Sequence, residues 1–172
     1  MTRPIISMIA AIGSNREIGK KGKLIWSLQD DMAYFVENTK GKVIIMGRKT
    51  FADCIGHALA DRINIVVTSK PGTEEDGVFY VKTVKEAVEA AKAFCTLNGI
   101  TEIVFIGGEL IYKHGMRYAD ALYITHVEAN DPDADSFFPV IDPVLWKPVF
   151  ANPSVDKETG IKFTITGYTA II

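Results

Sequence analysis

Along this chain, short and nearly unbroken apolar runs alternate with stretches in which apolar residues recur every three or four positions. The first run, Ile5–Ile12, is closed by Gly13 and predicts a strand buried on both faces at the centre of a sheet. A polar loop with Gly19 and Gly22 among several lysines follows. From Ser27 the period changes. Leu28, Met32 and Phe35 recur at helical spacing, and Ser27 with Asp30 is placed as a capping box, so a helix is expected over 27–40.

Residues 43–46 predict a second buried strand, ended by Gly47 and passing into Arg48-Lys49-Thr50 as a helix start. Ile63–Val67 predicts a strand that ends at the turn signal Lys70-Pro71-Gly72, and Val78–Val81 predicts another. Thr83, with Glu86 completing a capping box, opens a helix whose face is Val84, Ala87, Val88, Ala91 and Phe94, and Gly99 stops it. Glu102-Ile103-Val104-Phe105-Ile106 reads as a strand running into Gly107-Gly108 and a short helix from Glu109 through Tyr112. Residues 122–127 add a strand. After the acidic loop 130–135 comes a β-rich tail with a hairpin turn at Lys157-Glu158-Thr159-Gly160.

Strands alternating with helices predict an α/β fold: one mostly parallel twisted sheet flanked by helices, with the tail hairpin as an antiparallel edge. A length of 172 residues with 48% hydrophobic content suits a single domain over 1–172. Nineteen basic against 21 acidic residues, without long like-charge blocks, argue against nucleic acid as a partner. No apolar run approaches the roughly 20 residues of a spanning helix. Residues 4–12 run into Asn15-Arg16-Glu17 without a cleavage site, so a soluble, cytoplasmic protein is expected. Cys54 and Cys95, the only two cysteines, match neither a disulfide framework nor a metal spacing.

Several residues stand where chemistry can be done. Asp31 lies at the border of its helix's apolar face, where a partly desolvated carboxylate can accept two hydrogen bonds from an amino-amide edge. An Asp serving only the helix dipole is the alternative, and Asp30 already fits that part. Gly107-Gly108, where a strand meets a helix, permits close approach of backbone to a pyrophosphate, although an ordinary tight turn explains it equally well. Arg48-Lys49-Thr50 adds two cations at another strand end, as an extra phosphate would require. Two such sites on one sheet favour a dinucleotide lying across it. Arg62 can fork onto a carboxylate, or be an ordinary surface arginine. His57, His114 and His126 share no metal spacing.

Taken in order from Ile5 to the C-terminus, these residues resemble the dihydrofolate reductase family. The resemblance is carried by Ile9-Ala10-Ala11, Ile18-Gly19, Trp26 with Asp31 and Phe35, and Ile45-Met46-Gly47-Arg48-Lys49-Thr50-Phe51. Leu59 with Arg62-Ile63-Asn64, Ser69-Lys70-Pro71-Gly72, Ile106-Gly107-Gly108 with Ile111-Tyr112, Leu122-Tyr123-Ile124-Thr125, and Asp135 with Phe138-Pro139 continue it.

The resemblance implies NADPH as cofactor, dihydrofolate as substrate and antifolates as inhibitors; a monomer is expected because no helix or strand shows a surplus apolar face. It implies that Asp31 holds the pterin's amino and amide nitrogens, with Thr125 and a water behind Trp26 completing the network. Ile9, Ala11 and Ile106 then lie near the rings, Met32, Phe35, Ile55 and Leu59 line the aromatic tail, and Arg62 binds the tail carboxylate. Tyr112 joins the catalytic set by shaping hydride geometry. The cofactor positions are Ala11, Ile18, Gly47, Arg48, Lys49, Thr50, Thr68, Ser69, Lys70, Lys82, Ile106, Gly107, Gly108, Glu109, Leu110 and Tyr112, with an unusual cis peptide at the glycine pair.

Three places depart from the family pattern: Ile25 where proline is usual, Ala58 with Ala60-Asp61 in a loop commonly rich in proline and glycine, and Leu110 in place of a frequent basic residue. Two rival readings remain at this point: the same fold acting on a ribosylated aminopyrimidine, against which Trp26, Asp31 and Arg62 speak, and a catalytically silent cofactor binder.

Overall fold

A computed structural model describes residues 2–70 and 75–171; Pro71 and Gly72 of the predicted turn lie outside them. Its centre is an eight-stranded sheet. In chain order come β1 (Ile5–Ile12), β2 (Glu17–Lys20), β3 (Lys23–Leu24), helix α1 (Gln29–Thr39), β4 (Val43–Gly47) and a π-helical turn over Thr50–Ile55. Next are β5 (Ile63–Val67), β6 (Val78–Val81), α2 (Val84–Asn98), β7 (Glu102–Phe105), α3 (Glu109–Gly115) and β8 (Ala121–Val127). The short β9 (Ser136–Phe137) precedes the long hairpin of β10 (Trp146–Val155) and β11 (Lys162–Ala170).

The large sheet has the order β10-β11-β8-β1-β7-β4-β5-β6. Every neighbouring pair from β8 to β6 is parallel, and the tail hairpin pairs antiparallel to β8. The central strands are mostly apolar because both faces are covered. Val43, Ile45, Ile103 and Phe105 enter the core under α2 and α3, while Ile44, Met46, Val104 and Ile106 enter the opposite core with Tyr34 and Phe35 of α1. Burying each such side chain is worth roughly 1.5–3 kcal/mol. That is of the same order as the ~1–2 kcal/mol of backbone entropy lost per ordered residue, so burial on both faces offsets the cost of ordering these strands.

Helix starts show where local signals suffice. Thr83 caps α2, accepting the Glu86 N–H at 3.1 Å, while the Glu86 carboxylate reaches one residue further back, to the Lys82 N–H at 3.0 Å. Gly99 ends α2 at φ 67°. The box expected at Ser27 and Asp30 does not form. The helix begins one residue later, buried Leu28 takes the cap position, and no side chain of its own caps it. Leu28 is instead enclosed in a core with Val127 of β8 and Phe163 of β11.

Two further features correct the expectation of loops. The segment after β1 is not a plain polar loop: β2 pairs with β3 and with β9 in a separate three-stranded sheet. The Arg48-Lys49-Thr50 run does start a helix, but from Thr50 onward it is π-helical rather than α-helical.

Candidate active site

Asp31 sits in the first turn of α1, where it faces β8, and Thr125 Oγ1 of that strand donates to Asp31 Oδ1. Burial pushes the Asp31 carboxyl above the usual carboxylate range, and the Thr125 hydroxyl offsets part of that rise. Thr125 is itself buried and lies beside Ala11 in the β1–β8 ladder. Ala11 and Trp26 pack together with Leu28. The Trp26 indole N–H donates to the Glu17 carbonyl at 3.0 Å.

Ile9 and Ile106 share a core with Phe35, Ile55 and Leu59, which brings five of the predicted ring and tail contacts to one face of the sheet. Met32 is exposed on α1. Tyr34, next to Phe35, has its hydroxyl pushed up to about 12 by burial, with neighbouring Tyr123, Asp31, Glu37 and Glu102 adding to the shift. At the far end of α1, Arg62 is held from two sides: Nε donates to the Ala60 carbonyl at 2.9 Å and Nη1 to Thr39 Oγ1 at 3.0 Å. Neither contact neutralises its charge.

Asn64 and Thr39 are positioning residues that periodicity does not reveal. Asn64 Oδ1 accepts the Leu59 N–H at 2.9 Å and its amide donates back to the Leu59 carbonyl at 2.9 Å, so a buried side chain holds the loop carrying Leu59. The signal available in advance was a polar residue inside the apolar run Ile63–Val67. Buried amides are retained when every hydrogen bond is met.

The predicted cofactor residues occupy the carboxyl ends of four neighbouring parallel strands. Gly107 and Gly108 follow β7, Arg48 and Lys49 follow β4, Thr68, Ser69 and Lys70 follow β5, and Lys82 follows β6. Three strand spacings of ~4.8 Å make this row about 14 Å long, a length suited to an extended nucleotide. Such strand ends are where α/β sheets bind nucleotides.

The Gly107–Gly108 peptide is cis, with Gly107 at φ 118°. A Cβ on Gly107 would lie 3.1 Å from the Tyr112 hydroxyl, and one on Gly108 would lie 3.2 Å from Thr50 Oγ1. The glycine pair therefore keeps bare backbone beside Thr50 and Tyr112. The Gly107 carbonyl accepts the Gly47 N–H at 2.8 Å, tying the ends of β7 and β4 together.

Among the described residues Arg48 and Lys49 are exposed and form no ion pair. The residues at this edge thus fit a phosphorylated dinucleotide: open cations at one end and unobstructed backbone at the other.

Tyr112 is buried, donates its hydroxyl to the Ile9 carbonyl at 2.8 Å, and is pushed well above the ordinary tyrosine range by desolvation. It orients rather than exchanges protons. Ile18 belongs to the core under β1 that also holds Tyr112 and Phe138. The Glu109 carboxylate accepts the Phe137 N–H at 2.9 Å, and Leu110 is 63% exposed. Those three stand at the margin of the row. Ile25 donates its N–H to the Ile18 carbonyl at 3.2 Å, a bond that proline cannot make. Among the described residues no group of His, Cys, Asp and Glu side chains is placed to hold a metal.

Comparison with known proteins agrees with this arrangement. The sequence model of the family "Dihydrofolate reductase" matches residues 5–170. A dihydrofolate reductase of Bacillus subtilis (strain 168) is 40% identical over 154 residues, 90% of this chain and 87% of that protein. One from Haemophilus influenzae is 38% identical over 82% of each chain. The solved structure of the Enterococcus faecalis enzyme, complexed with NADP(H) and RAB-propyl, superposes with a TM-score of 0.86 at 30% identity, covering 98% of this chain and 97% of that one. With the family model matching residues 5–170 and relatives 38–40% identical over most of its length, the chain belongs to the dihydrofolate reductase family.

Proposed function

We propose that this protein reduces 7,8-dihydrofolate to 5,6,7,8-tetrahydrofolate with NADPH, and that its residues divide the work as follows. The observation that carries the reading is Asp31: a desolvated carboxylate, joined to Thr125, beside a row of strand ends suited to a dinucleotide. NADPH, when bound, supplies the hydride that adds to pterin C6.

Asp31 accepts the amino and amide N–H groups of the pterin, with the Thr125 hydroxyl on Oδ1 fixing the orientation of the carboxylate. Its negative charge, little screened where it is buried, raises the basicity of N5 and orients the water that protonates it. Ile9, Ala11 and Ile106 bound the ring and keep other water out. Tyr112, anchored on Ile9, sets the distance between nicotinamide and pterin. Phe35, Ile55 and Leu59 line the aromatic tail with Met32 at its rim, and Arg62 binds the tail carboxylate. Arg48, Lys49, Thr50, Thr68, Ser69, Lys70 and Lys82 meet the cofactor's phosphates and adenosine, and Gly47, Gly107 and Gly108 let it approach the backbone.

We also assign the protein to the cytoplasm as a monomer. None of the described helices is long and apolar enough to cross a membrane. A sizing column tests the oligomeric state.

The decisive assay mixes the protein with NADPH and dihydrofolate and follows the loss of nicotinamide absorbance, with NADH and methotrexate controls. Rapid, methotrexate-blocked oxidation that prefers NADPH is expected. A folded protein that binds NADPH yet leaves dihydrofolate untouched would refute the reading.

A further inference from the structure

Among the described residues the most deeply buried carboxylate is Glu17, at 1% exposure, and the reaction as described does not use it. The next most buried, Asp156, accepts from Thr159 within its own turn, and Glu102 has Lys42 as its partner. Glu17 has no cation within ion-pair distance among the described residues. Its two oxygens are met by backbone alone: Oε1 accepts the Asn15 N–H at 2.8 Å and Oε2 accepts the Asp131 N–H at 3.1 Å. Its carbonyl accepts both the Gly13 N–H at 3.0 Å and the Trp26 indole N–H at 3.0 Å. One residue therefore joins the end of β1, the acidic loop and Trp26.

Gly13 supplies an independent sign that this cluster is built. A Cβ there would lie 2.1 Å from Glu17 Oε1 and 2.7 Å from Trp26 Cζ2, so carboxylate and indole share space that only glycine leaves open. The adjoining Arg16 holds φ 66° while its carbonyl and guanidinium bind the Phe138 N–H and carbonyl at 2.8 and 2.5 Å. A chain in that conformation has little freedom to place the Glu17 carbonyl elsewhere.

We infer that Glu17 is a positioning residue for the reduction: its carboxylate, bridging Asn15 and Asp131, fixes the carbonyl that holds the Trp26 indole next to the Asp31 site. This rests on the reading of Asp31 and Trp26 as the pterin site. The chemistry demands a carboxylate. Two acceptor oxygens face two N–H donors, so glutamine would set an amide NH2 against one of them, and leucine would leave both donors unmet.

The test uses a Trp146→Phe background, which leaves Trp26 as the sole tryptophan. Glu17→Gln, Glu17→Leu and Gly13→Ala are compared with Asp120→Asn, a substitution that breaks polar contacts with Arg3 and Ile6 far from Trp26. Ligand-free Trp26 emission and acrylamide quenching are measured beside Tm, kcat and KM. We expect all three Glu17 and Gly13 variants to shift Trp26 emission to the red and to lower kcat about tenfold or more, with KM changed much less. The double variant Gly13→Ala/Glu17→Gln should lose no more than the worse single one. Asp120→Asn should lower Tm alone. If Glu17→Leu does not fold, Glu17→Gln and Gly13→Ala decide. Lower Tm with unmoved emission and unchanged kcat would overturn the proposal, as would moved emission with unchanged kcat. A parent protein that is inactive would refute the functional reading and with it the catalytic part of this inference, whereas Trp26 unmoved in an active parent refutes the inference alone.

Discussion

The proposed pterin half and the proposed cofactor half of the site are built by opposite means. Around Asp31 the functional side chains already have protein partners: Asp31 has Thr125, Trp26 has the Glu17 carbonyl, and Arg62 has Thr39 and Ala60. Along the ends of β4, β5 and β6, Arg48, Lys49, Ser69, Lys70 and Lys82 stand exposed, and at β7 bare backbone replaces side chains. A flat heterocycle must be held in one orientation for hydride to reach one carbon, which needs prearranged donors and acceptors. Phosphates need charge near them more than exact direction, and exposed cations supply it at little folding cost.

The sharpest way to break this contrast is Asp31→Asn. At neutral pH kcat/KM should fall on the order of 10²–10⁴-fold, read from steady-state kinetics. The same change should raise stability. Burial lifts the folded-state pKa of Asp31 above its unfolded value, so its contribution to stability is full below the unfolded pKa and is lost as pH rises through the folded one. Thermal melts at neutral pH should therefore favour the variant, and melts below the carboxylate range should not. A variant that keeps its turnover, or gains no stability at neutral pH, contradicts the role given to this group.

A smaller effect is expected across the cofactor row. Removing both cations by Arg48→Ala with Lys49→Ala should weaken NADPH by about 10–100-fold, ~1.4–2.8 kcal/mol for the pair, because solvent screens exposed charges, while NADH changes little. Raising ionic strength should weaken NADPH in the parent in the same sense, because exposed charges are screened. Equal losses for both nucleotides would remove these residues from phosphate recognition. Smallest is Arg62→Ala. KM for dihydrofolate should rise about tenfold, the size expected of one exposed charge-assisted contact, with kcat nearly unchanged and no effect on a pterin that lacks the tail carboxylate. A fall in kcat instead would mean that Arg62 acts through Thr39 on α1.

Much of the architecture was legible because its causes are local. The nearly unbroken apolar run of β1, the capping of α2 by Thr83 and its stop at Gly99 depend on residues a few positions apart, and the structure has all three. The ends of β4 and β7 were legible too, since a glycine pair and two cations mark them in the sequence, whereas Thr68, Ser69, Lys70 and Lys82 entered only through the family resemblance. What was missed lies where distant segments intervene. β2, β3 and β9 are two to four residues long and carry no apolar alternation of their own; they exist because they pair with one another. The start of α1 looked capped by Ser27, yet Leu28 occupies the cap, buried against Val127 and Phe163 of distant strands.

The sequence by itself determined the alternation of strands and helices, the two covered faces of the central sheet and the candidacy of Asp31, Arg48, Lys49 and the glycine pair, because periodicity, capping and turn preferences act between near neighbours. Only the tertiary structure decided that Thr125 meets Asp31, that Asn64 grips Leu59 and that Glu17 is enclosed between Asn15 and Asp131. A carboxylate or amide carries no mark in its neighbours of which donor will reach it; that is fixed when remote strands come into register and water is excluded from between them.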